Sequence, residues 1–80
     1  MLEKLSTVEL SYEDLKSYSK DEKRILRNAI FAKHGYIFKS EDLKNYFGQF
    51  AWYAPKYSDI NDQLNPIEKR NVGVLKILEE

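Results

Sequence analysis

The residues with the most chemical potential are Arg27, Asn28 and His34, the only histidine, all carried by the apolar run Leu26-Arg27-Asn28-Ala29-Ile30-Phe31-Ala32-Lys33-His34. An imidazole could transfer protons or ligate a metal. A guanidinium beside an amide could hold a carboxylate or phosphate. Polar groups on an apolar helix must find partners, or each costs roughly 1–3 kcal/mol. A second set lies far along the chain. Asn71 falls in the middle of the stripe formed by Ile67, Val74, Leu75 and Leu78, and Glu68 lies at its edge. The simplest reading joins the two sets in one structural polar network of Arg27, Asn28, His34, Glu68 and Asn71. In it Arg27 pairs with Glu68, and Asn71 bonds the facing helix or a loop carbonyl.

Sharper chemistry lacks support. One histidine without cysteine cannot make a structural zinc site, and no carboxylate stands at metal-motif spacing from it. His34 therefore reads as a helix-terminal histidine bonding a carbonyl. Ser11, Ser19 and Ser40 read as helix caps, and no Gly-x-Ser-x-Gly elbow or Gly-rich phosphate loop occurs. Nothing assembles a nucleophile, a base and an oxyanion site. The expectation is a non-catalytic chain with no metal and no cofactor.

Aromatic residues are the other candidates. Eight of the eleven lie between Tyr36 and Tyr57. Phe38, Phe47, Phe50 and Trp52 read as core. Tyr53 and Tyr57 sit in a loop, where binding residues concentrate, and stay open between burial and ligand contact. If Trp52 joined Tyr53 at the surface, the pair could stack on a sugar ring or receive a peptide.

These residues need elements to position them. A first helix is expected from Ser11 to about Ser17, with Ser11 and Asp14 as a capping box. The second runs from the Ser19 cap, boxed by Glu22, to His34, with Gly35 at the left-handed stop. A short link, Tyr36 to Lys39, leads to a third helix capped by Ser40. Residues Ala51 to Leu64 form an ordered aromatic loop. A fourth helix starts at Asn65, with Pro66 in its first turn and Glu68 completing the box, and ends near Leu78. No alternating run is long enough for a strand. The fold class is all-α: a small compact bundle of about four helices. Residues 1–80 make one domain, with 1–9 a flexible lead-in.

Thirteen basic and thirteen acidic residues cancel, which argues against a bulk nucleic-acid binder. Glu41 and Asp42 would also meet phosphates at the start of any recognition helix. No apolar run approaches the roughly 18 residues of a membrane span. The segment Met1 to Leu10 has no apolar signal core. A monomer is expected, either cytoplasmic or excised from a longer exported protein.

Residues Leu26-Arg27-Asn28, Ile30 to Tyr36 and Phe38 resemble the signature of the YARHG domain. Leu43, Tyr46-Phe47, Trp52-Tyr53 and Ile67-Glu68-Lys69-x-Asn71 resemble the rest of that pattern, in order, over roughly residues 10–78. Phe31 and Lys33 stand where the family name has Tyr and Arg. The resemblance implies an extracellular or cell-envelope module of a bacterial protein, without catalytic activity. Its expected role is binding or docking, to a cell-wall component or a neighbouring domain. The alternatives are a structural spacer or a small cytoplasmic interaction protein.

Overall fold

The computed structural model describes residues 4–79. Five helices follow one another: α1 (Lys4–Thr7), α2 (Tyr12–Leu15), α3 (Lys20–Lys33), α4 (Glu41–Gly48) and α5 (Pro66–Glu79), with a 3-10 turn at Asn61–Gln63 before the last. Among the described residues there is no strand; Tyr36 and Tyr57 form one isolated parallel bridge. The fold is the expected all-α bundle, with one short helix more than the sequence suggests.

Local chemistry sets most boundaries. Ser11 with Asp14 and Ser19 with Glu22 form capping boxes, closing the starts of α2 and α3. At α5, the Glu68 N–H donates to Asn65 Oδ1 at 2.7 Å, and the Asn65 N–H donates to Glu68 Oε1 at 2.9 Å. Gly35 takes φ +84° just after the cap residue His34, as a C′ glycine should. Ser40 departs from expectation. It stands at the N-cap of α4 but makes no capping bond; its hydroxyl donates to Asp42 and accepts from Arg24 Nη2. Asp42 is also clamped by Arg24 at 2.7 and 3.3 Å, which ties α4 to α3.

The flexible lead-in is corrected from Lys4 onward; residues 1–3 lie outside the described residues. Four residues cannot sustain a helix alone, so α1 exists because it docks. Leu5 is wholly buried in the same core as Leu10 and Leu15, Ala29 and Ile30 of α3, Phe47 of α4 and Leu75 of α5. Helix α3 is central and touches α1, α4 and α5.

Candidate functional site

Helices α3 and α5 run antiparallel, as their cross-links show. Near the middle of α3, Arg27 bonds Glu79 at the end of α5 through Nε at 2.5 Å and Nη2 at 3.3 Å. Just past the end of α3, His34 Nε2 meets both oxygens of Glu68, in the first turn of α5, at 2.9 and 3.0 Å. The expected Arg27–Glu68 pair is thus replaced by two pairs. Arg27 of α3 and His34, the cap residue just past its end, are seven residues apart, and Glu68 and Glu79 are eleven apart on one face of α5. Those spacings span about 10 Å and about 16 Å along a helix, and the long Arg side chain bridges the difference. Residue type and face are set by spacing; which carboxylate meets which base depends on helix direction and register.

Glu68 is the hub, only 2% exposed. Besides His34 and the Asn65 N–H, it accepts from Ser6 Oγ at 2.7 Å, and Ser6 accepts from Lys33 Nζ at 2.5 Å. Burial pushes the Glu68 carboxyl up, but bonds from the Asn65 backbone, Ser6 and His34 more than offset it, leaving it below the ordinary glutamate value. A carboxylate can only accept, so His34 carries its proton on Nε2. The carbonyl-bonding role expected for that ring is replaced by this carboxylate contact.

Asn71 is fully buried and sews the N-terminal segment to α5. It donates to the carbonyls of Leu5 and Val8, both at 2.9 Å, and accepts from the Leu10 N–H at 3.0 Å. One of these partners, Val8, supplies the expected loop carbonyl. Asn28 is buried and donates to the Arg24 carbonyl of its own helix at 2.9 Å. Arg27, Asn28, His34, Glu68 and Asn71 are therefore all engaged, but as separate links: Arg27 to Glu79, His34 to Glu68, Asn71 to the chain start. Among the described residues, no three His, Cys, Asp or Glu side chains converge to hold a metal ion.

Two partners escaped sequence reasoning. Glu79 carried a usable signal, since eleven residues after Glu68 is about three helical turns. Ser6 carried none, because it lies in the presumed lead-in and reaches Glu68 only through the docking of α1.

The aromatic segment wraps the turn at Gly35. The Lys56 and Tyr57 N–H groups both donate to the Gly35 carbonyl, at 2.8 and 3.0 Å, and the Ile37 N–H donates to Tyr57 O at 2.8 Å. Tyr53 is half-buried. Its hydroxyl donates to the Tyr36 carbonyl at 2.6 Å, and burial pushes the phenol pKa up. Trp52 is corrected from core to surface at 44% exposure, and Tyr57 is 46% exposed. Phe50 takes the inner position instead, with Trp52 stacked on it at 5.5 Å between ring centres. A small cavity of about 150 Å³ is lined by Trp52 and Tyr57 together with Gly35, Ala54, His34, Lys33 and Lys56.

The run from Leu26 to Phe38 thus holds Arg27, His34 and the Gly35 turn, and the YARHG domain model matches residues 1–80. The chain belongs to the YARHG domain family. Within the signature of this YARHG domain, Arg27 and His34 tie α3 to α5, and the Gly35 carbonyl anchors the aromatic segment. Comparison with curated proteins finds no match, and comparison with solved structures finds none either. No helix among the described residues is long and apolar enough to cross a membrane.

Proposed function

We propose that this YARHG domain is a non-catalytic docking module of an exported bacterial protein, with the Trp52–Tyr57 segment as its contact surface. One observation carries the reading: Trp52 and Tyr57 stay about half exposed while the backbone between them is pinned to Gly35. A spacer would bury such rings. A surface aromatic pair already held in place binds with little ordering cost. The cavity has Lys33 and Lys56 and no acidic side chain in its lining, and with Lys33 donating to Ser6, Lys56 is the cation that suits an acidic side chain of a partner. The polar hub supports a non-catalytic role. Ser6 donates straight to Glu68 rather than to the imidazole, and a carboxylate held below its ordinary value is a weak base. The exported origin rests on the family resemblance.

The test is an amide-shift titration with the domain adjoining this one in its parent protein. Support would be shifts centred on Trp52, Tyr57 and Gly35, and a loss of affinity of about thirtyfold or more in Trp52→Ala, the worth of one hot-spot aromatic. Shifts elsewhere, or unchanged binding by both Trp52→Ala and Tyr57→Ala, would discard the assignment.

A further inference from the structure

A separate cleft of about 450 Å³ lies between α3 and the loop entering the 3-10 turn, outside the docking surface above. Phe31 and Tyr36 line it with rings set edge to face, 6.0 Å between centres, and buried Ile60 contributes to its wall. Asn28, only 6% exposed, also lines it. The Asn28 Nδ2 is spent on the Arg24 carbonyl, and no described residue donates to Oδ1. No buried side-chain polar atom lacks a partner among the described residues, so Oδ1 reaches solvent through the cleft. Arg27 adds a donor, because Glu79 engages Nε and Nη2 and leaves Nη1. Asp59 and Asn61 stand exposed among the lining residues.

We infer that this cleft binds a neutral saccharide ring. Its one cation is taken, because Arg27 is paired with Glu79, and its one carboxylate, Asp59, is exposed to solvent. An anion finds that cation already engaged, and a cation finds only a solvated carboxylate, worth about 0–1 kcal/mol at a surface. A purely apolar ligand would strip water from Asn28 Oδ1 without replacing the hydrogen bond, an unfavourable exchange. A pyranose meets both demands. Its C–H face packs on Phe31 and Tyr36, and its hydroxyls donate to Asn28 Oδ1 and Asp59 while accepting from Arg27 Nη1 and the Asn61 amide. The volume falls within the usual range for small-molecule sites. A peptide added as a strand would need an unpaired sheet edge, and the backbone here forms only the single Tyr36–Tyr57 bridge.

The experiment titrates the full chain with D-glucose, D-galactose and N-acetyl-D-glucosamine, with inorganic phosphate and toluene as contrasting probes, followed by amide shifts. The expected result is saturable movement of the Asn28 side-chain amide, Phe31 and Asn61 with at least one sugar. Asn28→Ala should abolish it. Asn61→Ala keeps the backbone bond to Asp59 Oδ1 and should weaken binding about fivefold, the worth of one hydrogen bond. If Asn28→Ala fails to fold, Asn61→Ala carries the test. The inference is overturned if no sugar moves these signals, if phosphate or toluene binds there more tightly than any sugar, or if Asn61→Ala binds unchanged. Sugar shifts confined to Trp52 and Tyr57 would also overturn it.

Discussion

Replacing Glu68 by alanine should be among the most damaging single changes in this domain. The substitution removes the acceptor for Ser6 Oγ at 2.7 Å, for the Asn65 N–H at 2.9 Å and for His34 Nε2 at 2.9 Å. Hydrogen bonds to a charged group contribute about 1.5–3 kcal/mol each. The low end applies, because Ser6, Asn65 and His34 are not fully buried and regain some water. Three such bonds come to about 4.5 kcal/mol, in line with the roughly 3–5 kcal/mol for breaking a buried ion pair. An 80-residue domain has only about 4–12 kcal/mol in all. At roughly 4–8 °C per kcal/mol, the melting temperature should fall by about 15 °C or more. Thermal melts followed by circular dichroism read this directly, with exposed Lys69→Ala as control. Melting within about 3 °C of that control would refute the hub. The pH dependence gives a second reading of the same group. Because the folded carboxyl lies below its ordinary value of 4.5, its stabilisation is complete above that value and is lost as pH falls through the lowered one. The gap between native protein and Glu68→Ala should therefore be widest near neutrality and shrink below about pH 4.

Two further outcomes are expected. Deleting residues 1–9 should cost about 3–5 kcal/mol in urea denaturation, since it removes wholly buried Leu5 and leaves Asn71 without the Leu5 and Val8 carbonyls; an unchanged midpoint would show that α1 is dispensable. Gly35→Ala should cost about 2 kcal/mol or more, because φ is +84° and an added Cβ would lie 2.9 Å from the Ala54 carbonyl oxygen. Trp52 fluorescence should shift with it as the segment that packs on Gly35 is displaced, and identical emission with native stability would count against the pinned-loop account.

Much of the scaffold is legible because it is written in contacts between residues three or four positions apart. Ser11, Ser19 and Asn65 each meet their partner three residues on, so the helix starts follow from sequence. Ser40 shows the limit. It has the right residue type and position, yet its oxygen accepts from Arg24, sixteen residues earlier, and from no helix N–H. Trp52 shows the same limit for burial. A loop aromatic carries no periodicity to say which face it takes, and Phe50 fills the inner place.

The sequence by itself determines that Arg27, Asn28, His34, Glu68 and Asn71 lie on, beside or at the end of apolar helix stripes and must be satisfied there, because periodicity fixes direction and burial penalises an unpaired polar group. Only the tertiary structure decides the pairing. The antiparallel register of α3 and α5 gives His34 rather than Arg27 to Glu68 and brings Glu79 to Arg27. It alone creates α1, a helix too short to form without the neighbours that bury Leu5 and the Asn71 amide that ties it down.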